Sequence, residues 1–281
     1  MSNGSVPSVT SLESDARDRP RRPVPFDRLL DVAYPIAAVG LFLLAWELWV
    51  RIGNEPPYVM VPFTDVIQAC VENWRTLVDH TIATVKESVY GFALGTVIGI
   101  LLAFVIAGAR TVAQSILPLI VLYHVIPTIA IAPLLSIWFG FGMLPRVLIV
   151  ANFTFFPVML NAIIGLRSTQ PTQVHLFRAT GAGIVQTFLR LRLPNALPQL
   201  FVGLKIASTL ALIGAVVAEF VSASEGLGYY VLIANGALDT QSLMVGVIYL
   251  TVTGLTLFGL VAAAERLALP WHISQRGPHR V

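Results

Sequence analysis

The sequence predicts an all-α membrane protein that crosses the bilayer six times. Three observations carry this expectation. Only 12% of the 281 residues are charged and 56% are hydrophobic, where soluble domains carry roughly 25% charged residues. Residues 111–145, 147–166 and 240–264 contain no Asp, Glu, Lys or Arg, and about 20 apolar residues suffice to cross roughly 30 Å of hydrocarbon. The apolar runs are also long and continuous, whereas a membrane β-barrel is written in short alternating segments.

These runs place spans at about 30–50, 84–109, 113–139, 147–166, 197–221 and 243–266. Ahead of them, residues 1–28 mix Ser and Pro with Arg17, Arg19, Arg21, Arg22 and Arg28. That composition predicts a disordered basic tail rather than a cleavable signal. Basic residues collect on the cytoplasmic side of membrane proteins. With the tail inside, thirteen of the eighteen Lys and Arg fall in cytoplasmic segments, four fall outside, and Lys205 lies within the fifth span. The expected organisation is therefore a cytoplasmic tail (1–28), a membrane domain (29–270) with a cytoplasmic loop at 167–196, and a cytoplasmic C-terminal tail (271–281). The orientation leaves Arg146 on an outer turn.

The net charge of +3 does not make a nucleic-acid binder, because the basic residues are spread over separate loops. A single cysteine, Cys70, leaves no intrachain disulfide and no cysteine metal site. His80, His124 and His175 fall on different loops or depths, so no metal site is expected.

Within residues 56–80, Val66, Ile67, Cys70, Trp74 and Leu77 recur at helical spacing, which predicts an amphipathic helix on the outer membrane surface. Gly91, Gly95 and Gly99 follow at four-residue intervals. They mark one helix face that another backbone can approach closely, within the bundle or at a subunit interface. The third span holds Pro118, Pro127 and Pro133, each expected to kink it. Such a broken helix either lines a cavity or packs as a bent element.

The stretch HLFRATGAGIVQTFLRLRLPNALP, His175 to Pro198, interrupts the apolar pattern. Pro171 suits a helix start, with Thr169 or Thr172 as candidate cap. Gly181 suits a left-handed helix end. A second short helix is expected from Ile184 to Leu193, broken by Pro194 before the fifth span. A basic, half-apolar helix pair fits two roles: an interfacial element on anionic lipid, or a docking element for a soluble protein.

The spacing of this loop resembles the signature of ABC-importer permeases: EAA, three residues, Gly, nine residues, Ile-x-Leu-Pro. Here the triplet is His175-Leu176-Phe177, the glycine is Gly181, and Leu191-Arg192-Leu193-Pro194 closes the motif. Every spacing holds; the EAA triplet itself is replaced by HLF. The segments PYVMVPFTDVIQAC, WFGFGMLPRVLI, FFPVMLNAIIGLR, LPNALPQLFVGLKIASTLALIGAVVAEF and GLGYYVLIA also resemble permeases of the nitrate, sulfonate, taurine and bicarbonate group. A thiamine-precursor or flavin importer falls in the same group, and the ending LPWHIS resembles that branch. The likeness spans roughly residues 30–270.

The resemblance implies a six-helix type I importer fold in which loop 167–196 carries a cytoplasmic coupling helix. His175, Leu176, Phe177, Arg178, Gly181, Ala182, Leu193 and Pro194 are then the ATPase-coupling residues. It further implies an ABC ATPase dimer as partner, a second permease copy in a homodimer, an extracytoplasmic binding protein, and a place in the bacterial cytoplasmic membrane. The chain lacks a G-x-x-x-x-G-K-[ST] phosphate loop, so it needs no cofactor of its own and ATP would bind the partner.

Ionisable and amide side chains inside spans are candidates for the translocation path: His124, Asn152, Asn161 and Glu219. For each, a structural hydrogen bond is the competing role. Glu219 should face the bundle interior or a water-filled cavity. SASEGLGYY, Ser222 to Tyr230, suits a turn into a short outer helix and an extracytoplasmic gate. A stand-alone secondary transporter or channel would call for an inverted repeat with matching broken helices. A membrane enzyme would need reactive groups clustered at one depth. Neither pattern is visible in the sequence.

Overall fold

The computed structural model describes residues 25–53, 56–108 and 110–270. Most of the predicted basic tail, residues 1–24, and the C-terminal tail 271–281 lie outside them. The described residues are helical throughout, joined by short turns. They divide into two units at residue 55. The first is helix α1, Pro25–Gly53, which covers the first predicted span and begins before the predicted tail boundary. On it, Arg51 Nε donates to Glu47 Oε1 at 2.6 Å, the i,i+4 pairing that the spacing favours.

The second unit holds α2 (Phe63–Glu72), α3 (Trp74–Gly108), α4 (Arg110–Val125), α5 (Thr128–Phe139), α6 (Met143–Arg167), α7 (Pro171–Ala179), α8 (Ile184–Thr187), α9 (Leu193–Ser222), α10 (Leu227–Gly236) and α11 (Thr240–Ala268). Among the described residues, four helices are long and apolar enough to cross a membrane. Counting the bent pair α4–α5 as one span makes five.

Helix α6 is the centre of this unit and the most buried of its long helices. Its two main neighbours, α3 and α9, meet it through small residues. A Cβ on Gly91 would sit 2.2 Å from Val150 Cβ, one on Gly95 would sit 1.9 Å from Thr154 Oγ1, and one on Gly99 would sit 2.6 Å from the Phe155 carbonyl oxygen. Across α6, a Cβ on Gly203 would meet Asn161 Cβ at 2.7 Å. Ala207, Ala211, Ala215 and Ala218 continue that buried face of α9. Without a hydrophobic driving force between helices in lipid, such close backbone approach supplies the packing contacts that hold the bundle together.

Several sequence expectations need correction. The third predicted span is two helices bent by 90°. Only Pro127 makes that break: Pro118 and Pro133 lie inside α4 and α5. Pro127 lacks an N–H and pushes Ile126 away from helical backbone angles.

Second, Pro194 does not separate a short helix from the fifth span. Residues 184–222 run as one 39-residue helix, about 58 Å at 1.5 Å per residue. A π-helical segment, Phe188–Arg192, precedes Pro194, and the Leu193 N–H reaches back to the Phe188 carbonyl. This wider turn lets the helix continue past a residue that cannot donate. Third, neither predicted threonine caps α7; Gln170 holds that position, followed by Pro171 in the first turn.

Helix α2 also does more than lie on a surface. Its Val66 is fully buried, with Leu77 of the following helix α3, in a cluster with Leu227 and Val245. Gln241 Nε2 donates to the Asp65 carbonyl at 2.9 Å and Thr240 Oγ1 to the Tyr58 carbonyl at 2.6 Å. Those bonds fasten α2 and its preceding turn to the start of α11. Ile67 and Trp74, predicted on the apolar face, are exposed.

Candidate functional site

The loop at 167–196 is built from α7, a glycine turn, and the first turns of the long helix. Thr180 ends α7 and Gly181 follows at φ +82°, a left-handed conformation that glycine adopts at little cost. No atom lies within 4 Å of where its Cβ would be. The backbone angle, rather than crowding, therefore requires glycine there.

His175 and Arg178 are exposed, Phe177 and Ala182 are half-buried, and Leu176, Ile184, Val185 and Leu189 are largely exposed. Arg178, Ile184, Val185, Phe188 and Arg192 line a groove of about 300 Å³. The loop is fixed to the bundle behind it. Phe188 meets Phe104 of α3 edge-on at 5.6 Å. Asn195 Nδ2 donates to Ser168 Oγ at 3.3 Å, and Arg167 Nη2 to the Ile106 carbonyl at 3.3 Å. Leu193 and Pro194 sit where the π segment passes into α9.

Near the opposite end of α6, polar groups from several helices converge. Glu219 of α9 is 1% exposed. Its carboxylate accepts from Thr84 Oγ1 at 2.7 Å and from the backbone N–H groups of Gly228 and Tyr229. Thr84 Oγ1 also accepts from Leu227 N–H at 2.8 Å, and His80 Nδ1 from Gly226 N–H at 3.0 Å. The free N–H groups at the start of α10, which no intrahelical carbonyl can satisfy, are thus met by side chains from α3 and α9. A carboxylate there also faces the positive end of the helix dipole. Glycine is needed at 226 and 228, where a Cβ would fall 2.3 and 2.6 Å from Glu219 carboxylate oxygens.

A buried ion pair adjoins this cap. Arg146 Nη1 donates to Glu87 Oε1, and Arg146 Nε to the Gly142 carbonyl at 2.9 Å. The side chains are 9% and 2% exposed. Glu219 lies close enough to repel Glu87 and attract Arg146. Arg146 was expected on an outer turn, and Glu87 was not singled out in the sequence. A signal for Glu87 existed: it lies four residues before Gly91, hence on the face that packs against α6. Lys205 of α9 likewise finds a partner, Glu265 Oε2 of α11, at 2.7 Å.

The remaining polar candidates join helices. Asn161 Nδ2 donates to the Pro157 carbonyl and its Oδ1 accepts from Gln199 Nε2, both at 2.8 Å. His124 stacks on Phe156 with ring centres 3.9 Å apart. Asn152 accepts from Tyr123 Oη at 2.8 Å and donates to Thr128 Oγ1 at 2.9 Å, bridging the α4–α5 bend. Asn152 also lines a groove of about 490 Å³. Of the four path candidates, only Asn152 faces this groove; His124, Asn161 and Glu219 are engaged elsewhere.

A bundle of apolar helices long enough to cross a membrane, with a basic loop at one end of α6 and a buried ionic cluster near the other, is the architecture of a multi-pass membrane protein. The chain belongs to the family described as binding-protein-dependent transport system inner membrane component, which matches residues 95–268, and is the permease subunit of an ABC importer.

The chain is 33% identical to the formylaminopyrimidine transport permease protein of Halalkalibacterium halodurans, over 84% of this chain and 94% of that one. It is 33% identical to the riboflavin transport system permease protein of Chloroflexus aurantiacus, over 83% and 88%. It is 29% identical to the taurine transport system permease protein of Escherichia coli, over 70% and 72%.

Proposed function

We propose that this permease imports a small nutrient of the sulfonate, nitrate, taurine or vitamin-precursor type, driven by a separate ATPase that docks on loop 167–196. The observation that carries the reading is mechanical. Exposed α7 is joined through Gly181 to a helix that runs unbroken from Ile184 to Ser222. Force applied at the loop therefore reaches Glu219 and the cap of α10 along one rigid element. In this reading α7 is the coupling helix, and His175, Leu176, Phe177, Arg178, Gly181, Ala182, Leu193 and Pro194 form or position the docking surface. The bulky HLF triplet, in place of EAA, calls for a matching groove in the ATPase.

The same reading has six spans with α1 as the first, both termini in the cytoplasm, two copies of the chain around one path, and an extracytoplasmic protein delivering the solute. ATP is bound and hydrolysed by the partner alone. The test is Gly181→Val in the reconstituted importer. A branched residue at a left-handed position costs about 1–2 kcal/mol locally, and open space surrounds the site. Membrane insertion is expected to be normal and ATP-dependent uptake to be lost. Full uptake by this variant rejects the docking role.

A further inference from the structure

The buried ionic cluster of α3, α6 and α9 does not balance its own charge. Arg146 brings one positive charge, whereas Glu87 and Glu219 bring two carboxyl groups, all close enough to interact. Glu225, in the turn before α10, adds a more distant acid and is exposed. On α3 itself Asp79 and Lys86 are exposed. His80 accepts the Gly226 N–H through Nδ1 and in that form is neutral. Helix α10 carries no charged residue or histidine, and the charges of α11, Glu265 and Arg266, lie at its far end. One carboxyl group is therefore left without a counter-charge among the described residues.

The two carboxyl groups are also served unequally. Glu219 accepts from Thr84 Oγ1 and from the N–H groups of Gly228 and Tyr229, a donor set that suits an anion. Glu87 Oε1 accepts from Arg146, but Glu87 Oε2 is buried and has no hydrogen-bond partner among the described residues. A buried anionic oxygen without a partner is costly. A proton on that oxygen removes the surplus charge and leaves Arg146 to balance Glu219. Carboxyl groups that share a site give up one ionisation for this reason, and they titrate as a pair.

We propose that Glu87 and Glu219 hold one proton between them, with Glu87 Oε2 as the oxygen that receives it, and that this proton site secures the start of α10. The exchange involves one O–H bond, formed with a proton from water and broken by its return. With the proton bound, Glu219 is free to serve the N–H groups of α10. With it lost, two carboxylates repel each other across a single guanidinium, and the cap is loosened. The site belongs to the chain by itself, so it stands or falls apart from the importer reading.

The test is infrared spectroscopy of the full-length chain in an ester-free detergent. Exposed acids are ionised at neutral pH, so a carbonyl stretch of protonated carboxylic acid there reports a buried one. The parent is expected to show this band at neutral pH and to lose it in alkali. Glu87→Gln should abolish it. Glu219→Gln should abolish it too, because Glu87 and Arg146 then balance one to one. Glu72→Gln, at an exposed position, should leave it unchanged. Thermal unfolding supplies a second readout. The unfolded chain releases this proton at ordinary glutamate acidity while the folded chain keeps it, so the parent should lose stability as pH rises. Glu87→Gln should lack that decline. A parent without the band, or a band that survives Glu87→Gln, overturns the proposal. So does a band that survives Glu219→Gln, which would mark a lone buried acid rather than a shared proton.

Discussion

The Thr84 hydroxyl donates to Glu219 Oε1 at 2.7 Å across 135 residues of sequence. Through this bond, α3 and α9 jointly hold the N-terminus of α10. Glu219→Ala would strip the carboxylate from two backbone N–H groups and from Thr84 in a buried site. Each buried group left unpaired costs about 1–3 kcal/mol. A marked fall in thermal stability in detergent is expected, with a smaller one for Glu219→Gln, which keeps an acceptor. Equal stability of Glu219→Ala and the parent would show that α10 is held by other contacts.

The glycine stripe gives a graded prediction. Gly95→Ala would drive a Cβ to 1.9 Å from Thr154 Oγ1 and 2.7 Å from the Ala151 carbonyl oxygen. Backbone cannot yield as a side-chain tip does, and overpacking of this kind costs about 1–3 kcal/mol or more. Gly259→Ala, with nothing within 4 Å, is the control. It should be neutral or stabilising, because alanine favours helix by about 1 kcal/mol. Thermal unfolding of the two variants side by side decides the matter, and equal behaviour would contradict the close packing of α3 on α6.

The ion pair between Glu87 and Arg146 calls for a double-mutant cycle. Removing Arg146 alone, as Arg146→Met, strands a buried carboxylate and is expected to cost about 3–5 kcal/mol. Glu87→Gln alone leaves the guanidinium the Gly142 carbonyl and the nearby Glu219 charge, so it is expected to cost less than Arg146→Met. The double variant should recover much of the loss, because the penalty lies in leaving one charge unpaired rather than in lacking the pair. Strict additivity of the two single effects would mean that the charges do not depend on each other.

Local signals in the sequence account for much of this architecture. Charge-free runs locate α6 and α11 because hydropathy is a property of consecutive residues, and the four-residue spacing of Gly91, Gly95 and Gly99 marks a packing face by helical geometry alone. Gly181 was legible for the same reason, as its left-handed turn depends on one residue. What escaped depends on partners distant in sequence. Glu87 and Arg146 are 59 residues apart, so the spacing of Glu87 from Gly91 marks its face but not its partner. Glu219 was expected to face inward, but its role as a cap rests on Thr84 and Gly228. The bend at Pro127 was hidden among three prolines that look alike in the sequence; two of them were absorbed within helices.

Pro194 shows how one missing N–H can set the geometry of a whole helix. In an α-helix its nitrogen would donate to the Arg190 carbonyl, and proline cannot. The structure answers with the π segment at Phe188–Arg192, in which the Leu193 N–H reaches the Phe188 carbonyl. A π turn inserts roughly one residue relative to an α-helix, and one residue is about 100° of rotation at 3.6 residues per turn. Pro194→Ala restores the donor and favours a regular α-helix. Regularisation would rotate Ile184, Phe188 and the loop ahead of them about the axis of α9, detaching Phe188 from Phe104. The chain should remain as stable as the parent or more so, since a helix defect is removed, while ATP-dependent uptake falls because the loop is presented at the wrong angle. Thermal unfolding and uptake measured on the same preparation test both halves. Normal uptake, with Phe188 still within cross-linking distance of Phe104, would show that the π segment is set by the surrounding packing and not by the proline.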